Sequence, residues 1–226
     1  RSPTRLQVPF ESAVVGGVKL VKTYTFRRGN YLIDVTHQVV NESSAPVNPR
    51  LYLQLVRDGN APEGGSSFYS TFTGPAIYTD GEKFKKIEFK DIEKRKPEDK
   101  PAHPTAAPDG WVAMVQHYFV SAWLIDKPGA PAQAREFFTG KVDANTYSVG
   151  MFLPVGELAP GASRTIEARL FVGPQEENNL SALAPGLELV KDYGIFKDLA
   201  EPVFCLLPQS RHVAGPRWGW IVRRLG

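Results

Sequence analysis

The sequence predicts an all-β fold carrying a short α-helical appendage at its C-terminal end. Three observations lead there. From Tyr31 to Val39, the residues Tyr31, Ile33, Val35, His37 and Val39 alternate with Leu32, Asp34, Thr36 and Gln38, the period of two shown by a strand with one buried face. About ten such candidates follow one another, too many for a small barrel. Helix signals cluster only after Pro174.

Taken in order, Thr23 to Arg28 is a strand that Arg28, Gly29 and Asn30 turn back into the Tyr31–Val39 strand, forming a hairpin. Leu51, Leu53 and Leu55 alternate with Tyr52, Gln54 and Val56 in the next strand. Further candidates are Lys85 to Phe89, Trp111 to Leu124, Glu136 to Lys141, Thr146 to Leu153 and Thr165 to Val172. Pro174 then suits a helix start, and Glu176 to Leu183 is read as that helix. In a second helix Ile195, Leu199, Val203 and Leu206 recur at helical spacing on one apolar face, offset by Lys197, Asp198 and Glu201, and Pro202 kinks or restarts it. Such a face lies either on a membrane surface or against the protein's own sandwich. Strands followed by terminal helices make a sandwich with an appendage.

Two stretches are expected to be loops: Asp58 to Ser67, rich in Gly, Pro and Ser, and Glu93 to Asp109, with its prolines and mixed charges. The second is a solvated, mobile insertion or a partner-docking loop.

Bulk properties narrow the function. At 226 residues with 42% apolar and 23% charged residues, the chain buries a substantial core, and one large domain is the simpler division. Its 27 basic residues nearly balance 24 acidic ones, which argues against a nucleic-acid groove. A single cysteine, Cys205, excludes an internal disulfide and is read as a small buried apolar residue. No apolar run is long enough for a transmembrane helix and the start lacks a signal-peptide core, so the chain is expected to be a piece of a longer protein.

Catalytic signatures are missing: no phosphate-binding loop, no Gly-x-Ser-x-Gly elbow and no His-Glu-x-x-His helix. His37, His103, His117 and His212 are widely separated, without a metal-ligand neighbour at strand or helix spacing. Neither a metal nor a cofactor is expected. The glycosylation sequon Asn41, Glu42, Ser43 carries little weight if the source is bacterial.

The stretch from Gly110 to Trp123 resembles the large periplasmic domain of the YidC membrane-protein insertase family. A second matching block begins at Val172, Gly173 and Pro174 and ends at Asp192, Tyr193 and Gly194. The likeness continues through Pro202, Val203, Phe204 and Leu207, and more loosely through Tyr78 and Glu82 to Phe89. After Leu207 the chain departs from the family pattern, although Trp218, Gly219 and Trp220 resemble its Asn-Trp-Gly segment.

The resemblance implies a β-supersandwich of galactose-mutarotase type over 1–173, C-terminal helices at 174–207 in the same domain, and a divergent tail at 208–226 leading toward a membrane core. It implies a non-enzymatic accessory domain, without a cofactor, on the periplasmic face of a bacterial inner membrane, assisting the insertion and folding that the full-length insertase and chaperone carries out. Its partners would be Sec translocon components (SecDF, SecYEG) and nascent membrane proteins, with a membrane surface meeting Ile195, Phe196, Leu199, Val203 and Leu206. The alternative is a carbohydrate-binding or mutarotase-like protein, whose candidate cleft is Trp111, His117, Tyr118 and Trp123. Such a cleft needs a histidine acid, a carboxylate base and stacking aromatics. The bland reading of the same residues is a sandwich core with a hydrogen-bonded or exposed strand histidine, and fold alone grants no activity.

Overall fold

Gly29, at φ 73°, supplies the left-handed backbone that reverses the chain. Asn30 completes the turn, its amide donating to the Arg27 carbonyl (3.1 Å) and its Oδ1 accepting from the Leu32 amide (2.8 Å). The expected hairpin is therefore present, with β2 at Val18–Arg27 and β3 at Leu32–Asn41. The computed structural model describes residues 4–60, 72–125, 133–176 and 180–191, all of them within one compact unit.

β1 (Arg5–Glu11) lines the outer side of β2. The Thr4 carbonyl accepts from Arg28 and the Ser12 amide donates to Leu20, so even-numbered β1 residues bond to β2 and odd-numbered ones face away. Pro9 falls on the outward set. Its missing N–H costs the ladder nothing and removes a donor from a side that no other described strand pairs.

The antiparallel large sheet runs β1, β2, β3, β12 (Ser163–Pro174), β9 (Phe119–Leu124), β8 (Trp111–Gln116), β5 (Thr73–Thr79), β6 (Lys83–Lys86). A smaller antiparallel sheet runs β4 (Arg50–Asp58), β11 (Thr146–Pro154), β10 (Arg135–Asp143), β7 (Ala106–Ala107). One core, including Val35, Leu53, Ile77, Val112 and Met151, joins residues of the two sheets. A second core holds Tyr78, Trp111, Leu124 and Phe171 together with Leu180, Leu187 and Val190 from the C-terminal helical segment. There the Leu180 amide bonds to the Glu176 carbonyl, and a 3-10 helix spans Leu187–Val190. The architecture is a two-sheet β-sandwich with little helix.

Several expectations need correction. Trp111 to Leu124 is not one strand but the hairpin β8–β9, with Gln116 paired to Phe119 and His117 at φ 43° in the turn. Trp111 and Trp123 lie in different cores, so both faces of this part of the sheet are buried and the segment is apolar throughout instead of alternating. Lys85 to Phe89 is not a strand throughout, because β6 ends at Lys86 and Phe89 begins a six-residue helix, α1 (Phe89–Lys94). Tyr31 is 56% exposed, so the inward alternation of β3 starts at Ile33.

Glu93 to Asp109 is also more than a solvated insertion. His103 and Pro104 are buried, β7 pairs with β10, and the Phe137 amide donates to the Thr105 carbonyl (2.8 Å). Glu93, Lys94, Lys96, Glu98, Asp99 and Lys100 do face water, but Arg95 is half-buried and the backbone is built into the small sheet. The Asn41 sequon position is fully buried, its amide donating to the Ala45 and Leu158 carbonyls (2.8 and 2.9 Å), so it serves packing.

Candidate functional site

Strand register decides which candidate cleft residues meet. Trp111 pairs with Leu124 and Val112 with Trp123, so the two tryptophans project from opposite faces of the sheet. Trp111 is 2% exposed, stacked on Tyr78 with centroids 5.6 Å apart, and donates its indole N–H to the Pro185 carbonyl (2.9 Å). Trp123 is 3% exposed in the core shared by the two sheets and donates to the Gln54 carbonyl (3.2 Å), bonding one sheet to the other. His117 and Tyr118 form the β8–β9 turn, their rings 3.7 Å apart, and Tyr118 is largely exposed. The four do not line one cleft. Ile195, Phe196, Leu199, Val203 and Leu206 lie outside the described residues, as do Cys205 and His212.

The buried polar groups form sites that sequence reasoning missed. His103 Nδ1 is 2.8 Å from the Pro104 carbonyl, which only accepts, so this nitrogen carries the proton in the neutral ring. Nε2 then accepts from Thr139 Oγ1 (3.0 Å), and that oxygen in turn accepts from Arg95 Nη1 (2.9 Å). Arg95 Nη2 also donates to the Thr139 carbonyl. Burial, joined by the Arg95 charge and opposed by the Pro104 carbonyl and Glu82, lowers the His103 pKa. Arg135, 2% exposed, donates to the carbonyls of Gln133 (2.9 Å) and Gly110 (2.6 Å), fastening the start of β8 to β10. These residues are satisfied largely by backbone carbonyls, which leave no motif in sequence. The signal that was available, a lone Arg opening an alternating strand, is shared by many exposed arginines.

Among the described residues no cluster of three or more His, Cys, Asp or Glu is placed to hold a metal ion. No described helix is long and apolar enough to cross a membrane. Arg57, His37 and Thr73 carry buried side-chain nitrogen or oxygen atoms with no hydrogen-bond partner.

The sequence profile of the YidC periplasmic domain family matches residues 2–206. The chain belongs to this family. It is 53% identical over 91% of its length to "Membrane protein insertase YidC" of Janthinobacterium sp. (strain Marseille), covering 35% of that protein. The same-named protein of Cupriavidus taiwanensis is 54% identical over 91% of the chain, again with 35% of its own length covered. The chain thus spans about a third of these curated relatives, and the family to which it belongs is a periplasmic one. Among solved structures it is similar to a galactose mutarotase-like protein from Lactobacillus casei (TM-score 0.38, 12% identity, 76% of this chain and 71% of that one). A galactose mutarotase related enzyme from Lactobacillus acidophilus is comparable (TM-score 0.40, 10% identity, 76% of this chain and 69% of that one). These likenesses concern fold alone.

Proposed function

We propose that this chain is the periplasmic accessory domain of a bacterial inner-membrane protein insertase, assisting insertion by positioning the membrane core and contacting Sec translocon components (SecDF, SecYEG). Nascent membrane proteins are the substrates of the full-length protein. The observation that carries this reading is the family match over residues 2–206, with relatives near half identity named membrane protein insertase. Insertion lowers the cost of moving polar groups into lipid, a non-covalent task that needs no nucleophile. The domain itself catalyses no reaction. Its C-terminal segment, with Ile195, Leu199, Val203 and Leu206 on one face, meets the bilayer surface in this reading. The carbohydrate reading required Trp111, His117 and Trp123 in one cleft, and their register gives it no support.

The test is photo-crosslinking in a full-length insertase carrying this domain, with the probe at exposed positions such as Tyr118, Phe119 and Val172. Crosslinks to translocon subunits or nascent chains are expected. If none form from any exposed position, and a domain-deleted protein supports normal insertion, the accessory role is lost. Polarimetry on galactose with the isolated chain is expected to show only the uncatalysed rate of mutarotation.

A further inference from the structure

β4 turns Leu51, Leu53 and Leu55 toward the core, and the next position in that alternation is Arg57. Its side chain is only 13% exposed. Nη2 donates to the Asn60 carbonyl (3.0 Å), while Nη1 is shielded from solvent and has no partner. The carboxylate beside it, Asp58, is 4.0 Å from Nε, half exposed, and already accepts from the Asn60 amide. Burial works against the guanidinium's charge, and the loose Asp58 contact offsets this only in part. A shielded guanidinium nitrogen with no acceptor, beside a carboxylate that pairs only loosely, is a group that a ligand can complete.

A cavity of about 140 Å³ adjoins Arg57, between β4 and the β8–β9 hairpin. Leu55, Met114 and Phe119 give it apolar walls, and Gln116 and Ser121 give it polar groups. It is half open to solvent, so a group of about benzene's size fits inside while the rest of a longer acid stays outside. The planar fork of a guanidinium matches the two oxygens of a carboxylate better than it matches a point anion. We propose that this cavity binds a small carboxylate with an apolar tail, the carboxylate paired with Arg57 and the tail held against Leu55 and Met114. A free short-chain acid and the C-terminal end of an apolar peptide present the same chemistry.

The experiment is NMR titration of the 226-residue chain at constant ionic strength with hexanoate, N-acetyl-leucine, inorganic phosphate and hexylamine. Saturable shifts of the Met114 methyl and the Gln116 and Ser121 amides are expected with hexanoate and N-acetyl-leucine, and none with hexylamine. The tighter of the two acids identifies the source, free acid or chain end. Arg57→Met should abolish the shifts while melting at or above the wild-type temperature, because it replaces a shielded and only loosely paired charge by an apolar chain of similar length. Should that variant fail to fold, Ser121→Leu fills the cavity with Arg57 retained and should also abolish binding. The proposal is overturned if neither acid saturates, if Arg57→Met or Ser121→Leu binds as the wild type does, or if hexylamine moves the same residues. Competition by phosphate as strong as by hexanoate would overturn the carboxylate assignment.

Discussion

His37 lies on the inner face of β3, 1% exposed, with neither ring nitrogen in hydrogen-bond geometry. It is opposite Lys22 in the register, and its ring is 6.2 Å from that of Trp123. Burial, reinforced by the Lys22 charge and opposed only in part by the Ile166 backbone, lowers its pKa to about 4. The unfolded chain takes up this proton near pH 6.5, so between roughly pH 6.5 and 4 it binds a proton that the folded chain refuses. Stability is therefore fully present above that window and falls as pH falls through it, by about 3 kcal/mol for this group. His103, also lowered, adds in the same direction. His37→Leu removes two unpaired buried nitrogens, so it should hold or raise stability at pH 7 and make the acid loss shallower. Urea midpoints at pH 7 and pH 4.5 check this, and an unchanged difference would assign the acid sensitivity elsewhere. The two buried tryptophans are anchors on separate faces. Trp111→Ala or Trp123→Ala should each cost about 3–5 kcal/mol in the same urea assay, and an unaltered midpoint would return that residue to the cleft reading.

At the scale of elements, the strap from α1 to β7 depends on Thr139, whose hydroxyl joins Arg95 to His103 and whose carbonyl takes a second bond from Arg95. Lys141 and Glu93 add a surface pair at 2.7 Å, a contact worth little when exposed to solvent. Thr139→Val keeps the shape but leaves Arg95 Nη1 and His103 Nε2 without their shared partner, and should cost about 1–3 kcal/mol. Hydrogen exchange should then quicken at the Phe137 amide, which donates to the Thr105 carbonyl, and stay slow in β12. Equal acceleration in both elements would mean global destabilisation instead of a released strap. The C-terminal segment has a separate test. Removing residues after Tyr193 should weaken association with anionic vesicles while the sandwich still melts cooperatively, since an interfacial helix adds surface burial and not core. A collapsed melt, with no vesicle binding in the intact chain, would assign that helix to its own sheet.

Across the whole molecule, what was legible in sequence follows from how each strand is covered. β3 and β4 declare themselves because one face of each is more buried than the other, so Val35, His37 and Val39, and Leu51 and Leu53, keep the period of two. β8 and β9 do not, because burial on both faces makes Trp111 to Val115 apolar throughout and the turn rests on His117 instead of a glycine. β1 is missed because it is exposed on nearly every position and held by its ladder to β2. The family was readable from contiguous blocks such as Gly110 to Trp123, whereas the candidate cleft failed because convergence depends on inter-strand register, which one segment does not encode. The same register makes the large sheet the shared wall of two cores, with Met151 in one and Leu187 in the other. Truncating either residue to Ala should therefore lower the stability of a single common transition, by about 2–5 kcal/mol, instead of melting one layer alone. Far-UV and near-UV circular dichroism followed through urea unfolding should give coincident curves in both variants. Separated transitions in Leu187→Ala would show that the helical layer and the sandwich fold independently, and would place a domain boundary within the C-terminal segment.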